Sequence, residues 1–273
     1  MTDPMQDREI ERRRYDERAA RLLDVADERI GPDGAEAIEI VLQRPYVVYE
    51  EFIRAVACPG VAVLDVCCGD GLHSLTAARA GAGVTVSDIA ENNLRVVQMR
   101  ARRSGVSVKT LIANSESVPL ADASFDVITC AGSLSYVDLA KFLAESDRLL
   151  RPGGRFICVD SLNHNPIYRL NRYLHYIRGH RTKSVISRTP TLTTLHLLAA
   201  AFPVGMQVRF FGMFSWLSPV LNPCLGHIRT AALLNYLDDH AAAFQRYAFK
   251  FVFAGSKLGR ATDSACSRQV ISH

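Results

Sequence analysis

The chain has 273 residues, 48% hydrophobic and 22% charged, which suits one large globular domain and excludes a disordered or fibrous chain. Its formal charge of +4 is too small to argue for nucleic-acid binding. Charges crowd Met1 to Arg14, against a secretory leader, and seven cysteines without paired Cys-x-x-Cys spacing predict reduced thiols in a cytoplasmic protein without a metal centre.

Tyr15, Ala19, Leu22, Leu23, Ala26 and Ile30 recur at helical spacing and predict an amphipathic helix closing near Gly31-Pro32. A second helix is expected over about 35–56, interrupted near Pro45. From there the pattern alternates. Short apolar runs at 61–66, 83–88, 106–113, 125–130 and 155–160 read as strands, separated by helical stretches, the last of them closed by Pro152-Gly153-Gly154. A helix through Leu192, Leu195, Leu198 and Phe202 follows, then strands at 206–211 and 248–255. Strands alternating with helices imply right-handed crossovers and a sheet covered on both faces. The expected fold is α/β, a doubly wound seven-stranded, mostly parallel sheet with a final antiparallel strand. A helical lid over 1–58 would precede a core over 59–257, with insertions at about 161–190 and 212–246 and a tail over 258–273. Residues 210–228 lack Lys, Arg, Asp and Glu, but Pro219, Pro223 and two glycines argue against a membrane span there. A buried flap or a surface dip into a membrane is the reading left for them.

The segment Val63 to Ser74, VLDVCCGDGLHS, joins the first strand to its helix. Ligands in such sheets bind beyond the carboxyl ends of the strands, near the point where strand order reverses. Gly69 and Gly71 permit a tight turn and close backbone approach, but Gly-x-Gly-x-x-Ser lacks the third glycine of the dinucleotide fingerprint.

Leu64-Asp65-Val66-Cys67-Cys68-Gly69-Asp70-Gly71 resembles the first motif of the class I, Rossmann-like S-adenosylmethionine methyltransferases, approximately Leu-Asp-Val-Gly-Cys-Gly-x-Gly. The resemblance continues in register over roughly 60–160. Asp88, with Ile89 beside it, matches the acidic residue that holds the ribose hydroxyls. Asn114, Ser115 and Glu116 fall where the family often has Asp-Ala-Glu near adenine. FDVITCAGSLSYV (125–137), which contains Cys130, matches the fourth-strand motif, and RLLRPGGRF (148–156) matches the turn before the fifth strand. The resemblance implies S-adenosyl-L-methionine as cofactor, with Asp65, Cys67, Gly69 and Gly71 in its cradle. Tyr15 resembles the lid tyrosine that closes over the cofactor in some members, and Arg44 and Tyr46 are placed at the same lid. Two departures stand out: Cys67 replaces the family's first glycine, and Asn114 its usual aspartate.

Between Ser161 and Leu237 there is no Asp or Glu, while eight Lys or Arg and five His occur. Asn165 and Pro166 read as the start of a helix whose apolar stripe is Ile167, Leu170, Leu174 and Ile177. Its other face presents Arg169, Arg172, Tyr173 and Tyr176, with His180 beyond. Arg169, Arg172, Tyr176, His180 and Trp216 are therefore candidate acceptor-binding residues, suited to a partly apolar small molecule bearing phosphate, diphosphate or carboxylate. A solvated basic face, or one resting on an anionic membrane, is the competing reading. His164, Tyr136 and Tyr168 are the candidate catalytic groups. Cys130-Ala131-Gly132-Ser133 stands where base-methylating enzymes often carry Asn/Asp-Pro-Pro-Tyr/Phe, which argues against nucleic acid as acceptor. Alternatives are a methyltransferase acting on a sugar or lipid-linked glycan intermediate at the membrane surface, a nicotinamide-dependent oxidoreductase and a non-catalytic cofactor-binding protein.

Overall fold

A computed structural model describes residues 4–24, 33–178 and 182–259. Seven strands form one sheet: β1 (Ala62–Val66), β2 (Gly83–Asp88), β3 (Lys109–Ile112), β4 (Phe125–Ala131), β5 (Leu150–Ser161), β6 (Val204–Phe211) and β7 (Lys250–Ser256). Their spatial order is β3-β2-β1-β4-β5-β7-β6, and only β7 runs antiparallel to its neighbours. The expected fold class is the observed one. Strand order reverses between β1 and β4, so the crevice for a ligand opens above their carboxyl ends.

Helices cover both faces. Among them are α1 (Pro4–Leu23), α2 (Ile40–Arg54), α3 (Leu75–Arg79), α4 (Glu91–Arg103) and α5 (Leu139–Leu149). After β5 come α6 (Pro166–Ile177), α7 (Lys183–Ser187) and α8 (Leu192–Ala201), and between β6 and β7 lie α9 (Ser218–Leu225) and α10 (His227–His240). One face of the sheet is packed by Phe142, Phe156, Phe202 and Phe253, all fully buried. Phe156 stacks on Phe202 at 4.7 Å and meets Phe142 edge-on at 6.0 Å, geometries that ring quadrupoles favour. Tyr49 and Ile53 of α2 pack the other face with Val84, Val86 and Val252.

Two expectations are corrected. Pro45 does not interrupt α2, which is continuous from Ile40; the break lies at Ile38–Glu39, after a short 3-10 turn over Gly34–Ala37. Pro152-Gly153-Gly154 is not a turn outside β5 but a bulge within it, because Phe125 pairs with Leu150 while Val127 pairs with Arg155. A Cβ at Gly154 would stand 2.8 Å from the Arg151 carbonyl, so this bulge accepts only glycine. The helix expected from Tyr15 to Ile30 is seen as far as Leu23; its expected end at Gly31-Pro32 lies outside the described residues.

The helix after β5 begins as expected, with the Asn165 side chain accepting from the backbone of Ile167 and Tyr168. Its orientation is unexpected. Tyr168 and Arg172 face inward, whereas Ile167, Leu170, Leu174 and Ile177 are 41–63% exposed. No helix among the described residues is long and apolar enough to cross a membrane.

Candidate active site

The turn after β1 is wound so tightly that its backbone serves as a cradle. Gly69 and Gly71 take φ of +54° and +75°, and a Cβ on Gly71 would meet Val97 at 2.5 Å. Cys67, in the position where the resemblance expects glycine, also sits in the left-handed region, at φ +51°. Its thiol donates to Ser115 Oγ at 3.2 Å, and burial pushes its pKa up to about 12, so it remains a thiol. Left-handed backbone costs a non-glycine residue about 1–2 kcal/mol. Cys67→Gly is therefore expected to raise stability by about 1 kcal/mol, read as a higher urea midpoint with unchanged slope. A lower midpoint would mean that the thiol's packing outweighs the strain.

Asp88 ends β2 and reaches across to this turn. Its Oδ2 accepts from Gly69 N–H at 2.9 Å, and its Oδ1 accepts from Ala90 N–H at 2.8 Å and the Asn93 amide at 3.2 Å. Burial raises its pKa against the pull of these donors. Oδ1 already accepts twice, so Oδ2 is the oxygen that keeps a lone pair for a ligand hydroxyl. Asp65, in the middle of β1, accepts from Ser74 (2.5 Å) and Thr129 (2.9 Å); burial nevertheless pushes it up to about 6. The loop after β4 is held to the first turn by Ser133, which donates to the Cys67 carbonyl, and to β5 by Asp160, which accepts from Leu134 N–H.

Over these loops lies a cavity of about 370 Å³. Asp65, Cys67, Gly69, Asp88, Ile89, Asn114, Ser115, Glu116, Tyr136 and Tyr15 all line it. Helix α1 forms one wall, with Arg8, Glu11, Arg12 and Arg18 beside Tyr15. Tyr15 donates to the Tyr136 hydroxyl at 2.8 Å, Arg8 pairs with Glu116 at 2.6 Å, and Asp16 accepts from the backbone and side chain of Asn92. Gly71 and Cys130 do not reach the cavity: Gly71 lies against Val97, and Cys130 is buried in the core between β1 and β5.

Several candidates stand elsewhere. His164 Nε2 accepts from Leu192 N–H at 3.0 Å, at the start of α8. Tyr168 donates to the Gly212 carbonyl at 2.9 Å, and burial, its largest influence, raises its pKa. Arg44 turns to Asp239 and the Asn235 carbonyl. Arg172 is buried against the Leu162 carbonyl and Asn163. Arg169, Tyr176 and Trp216 are not among the cavity's lining residues, and His180 lies outside the described residues. Of the three catalytic candidates, only Tyr136 reaches the cavity.

In their place the structure brings groups that the sequence did not single out for chemistry. His73 is the one imidazole among the lining residues described. Its ring stacks on Tyr46 at 4.9 Å, and its Nδ1 lies 2.8 Å from Glu50 Oε1, with both side chains under one-tenth exposed. Burial alone would raise the Glu50 carboxyl, but hydrogen bonds from His73, Arg54 and Ala35 N–H outweigh it and hold the group below its ordinary range. An ionised Glu50 can only accept, so the His73 Nδ1 carries a proton and Nε2 is the ring nitrogen left for a ligand. Arg12 and Arg18 of α1 and Arg188 after α7 also line the cavity, beside the apolar Ile38, Leu72, Val137 and Val185.

Comparison with known proteins agrees with this geometry. Residues 64–158, from the middle of β1 to the middle of β5, match the family described as "Methyltransferase domain". Over this stretch the chain is similar to methyltransferases. It is 36% identical over 121 residues to a ubiquinone biosynthesis O-methyltransferase of Cereibacter sphaeroides, covering 42% of this chain and 49% of that protein. Its counterpart in Hahella chejuensis is 40% identical over 112 residues, covering 40% and 47%. The chain thus spans about half the length of the curated relatives it matches. Among solved structures, geranyl diphosphate C-methyltransferase from Streptomyces coelicolor, in complex with Mg2+, a substrate analogue and S-adenosyl-L-homocysteine, superposes with a TM-score of 0.55 at 20% identity, covering 80% of this chain and 78% of that one. At that identity the likeness shows the methyltransferase fold alone.

Proposed function

We propose that this protein transfers the methyl group of S-adenosylmethionine to a small organic acceptor with an anionic group and an apolar part. The observation that carries the proposal is one cavity shared by the Asp88 cradle and by the arginines of α1 and of the α7 end. The chain's residues fit the cofactor. Asp88 Oδ2 suits a ribose hydroxyl, Asn114 suits an adenine edge, and the Cβ-free Gly69 backbone admits close approach. Asp65, Asp88 and Glu116 make a negative environment that suits a sulfonium. When bound, the cofactor supplies an electrophilic methyl carbon on a cationic sulfur.

The residues would then divide the work. Tyr15 and α1 close the cavity against water. Arg12, Arg18 and Arg188 hold the acceptor's anionic group, with Ile38 and Val185 against its apolar part. His73 Nε2 takes the proton that the acceptor atom releases as its bond to the methyl carbon forms and the carbon–sulfur bond breaks, and Glu50 stabilises the resulting imidazolium. Holding donor and acceptor in line is the larger contribution, about 7–11 kcal/mol for well-oriented pairs. The name of the geranyl diphosphate enzyme supports an anionic, partly apolar acceptor, and the ubiquinone-pathway relatives support methyl transfer to a small molecule.

The test is label transfer from methyl-labelled S-adenosylmethionine to a panel of prenyl diphosphates, prenylated phenols and carboxylates, beside uncharged analogues. Anionic members should be methylated preferentially. Arg188→Ala should raise the acceptor's KM about tenfold or more while leaving S-adenosylhomocysteine affinity unchanged. Preference for uncharged acceptors, with Arg188→Ala kinetically silent, would refute the anionic reading.

A further inference from the structure

The outward apolar stripe of α6 is opposite to what burial in water selects. A soluble helix turns its apolar stripe to the core. Here Asn165 bonds the Met213 and Tyr247 carbonyls, Tyr168 the Gly212 carbonyl, and Arg172 the Leu162 carbonyl, so polar groups fasten the helix to the body. Ile167, Leu170, Leu174 and Ile177 lie on the other side, at 41%, 59%, 41% and 63% exposure, with Tyr173 next to them at 54%. At 100° per residue, Arg169 and Arg178 flank this stripe on either side, and both are exposed. No acid occurs anywhere from Ser161 to Leu237, against eight Lys or Arg. An apolar stripe edged by arginines is the pattern of a helix that lies in a membrane interface, its cations reaching the lipid phosphates.

We infer that α6 docks this protein on an anionic lipid surface, with the Ile167–Ile177 stripe entering the acyl boundary and Arg169 and Arg178 meeting the headgroups. Charge decides the occupant. A second copy would set one basic, acid-free face against another, whereas an anionic bilayer complements it. The placement has a consequence if the proposed methyl transfer holds. Helix α7 packs on α6 and, with Arg188 just after it, lends Ser184, Val185 and Arg188 to the cavity, so docking brings the cavity to the lipid face, where a partly apolar acceptor resides.

The test is flotation of the full chain with phosphatidylcholine vesicles, with and without about 30 mol% phosphatidylglycerol. The protein should float with the anionic vesicles, less so as salt rises, and stay unbound with the neutral ones. Leu170→Glu with Leu174→Glu should weaken binding about tenfold or more while circular dichroism and the unfolding midpoint stay as in wild type, since both residues are exposed. Three results would overturn the inference: no flotation with anionic vesicles, equal flotation of the double variant, or a concentration-dependent dimer that Leu170→Glu dissolves in place of vesicle binding. Flotation reads docking without turnover, so failure here and failure of the methyl-transfer reading are separate outcomes.

Discussion

Asp88→Ala is expected to weaken S-adenosylhomocysteine binding about a hundredfold or more while the fold persists. Two losses combine. The carboxylate can accept from a ribose hydroxyl at Oδ2, and a charge-assisted bond of that kind contributes about 1.5–3 kcal/mol. The same carboxylate holds Gly69 N–H at 2.9 Å and so fixes the cradle that the cofactor's backbone contacts require. Stability should suffer less than affinity, because burial already disfavours the ionised group. Asp88→Asn keeps one acceptor oxygen and should fall between wild type and alanine. Calorimetric titration of the three proteins checks the order, and equal affinity of wild type and Asp88→Ala would place the ribose elsewhere. Acid should imitate the substitution, since protonation removes the acceptor charge and affinity should fall with falling pH.

His73→Ala is expected to lower kcat about a hundredfold to ten-thousandfold with little change in cofactor affinity, the range for a positioned general base. Glu50→Gln should act more mildly, about tenfold, because it removes the charge that favours the imidazolium but keeps a group beside Nδ1. The decisive signature is the split between constants: kcat should fall while S-adenosylhomocysteine affinity stays as in wild type. An unchanged kcat in His73→Ala would reduce the imidazole to a packing partner of Tyr46 and Tyr49.

The sheet was readable because parallel strands buried on both faces keep apolar runs such as Val61–Leu64 and Ile157–Val159. Asp88 was readable through the resemblance, since it closes the second strand where the family carries its ribose-binding acid. The cofactor half of the cavity follows from such local patterns. The acceptor half does not, because it is assembled by tertiary contacts. The sequence does carry one signal for His73. Glu50 sits on a helix face with Val48, Tyr49 and Ile53, all buried, and a buried acid among them must find a partner. Nothing local says that the partner lies 23 residues on, in the turn before α3. Periodicity identified the stripe of α6 but not its direction, since 3.6-residue spacing is the same for a core-facing and a solvent-facing stripe. Arg169 and Arg172 show the same limit. They are three residues apart on one helix, yet one is exposed and the other buried against a carbonyl.

The most direct test of the central claim is isothermal titration of the wild-type chain with S-adenosylmethionine and S-adenosylhomocysteine, beside NAD and NADP. Saturable one-to-one binding of the first pair, lost in Asp88→Ala and absent for the nicotinamides, is the predicted result. Binding of a nicotinamide nucleotide, with no heat from the S-adenosyl pair, would contradict it.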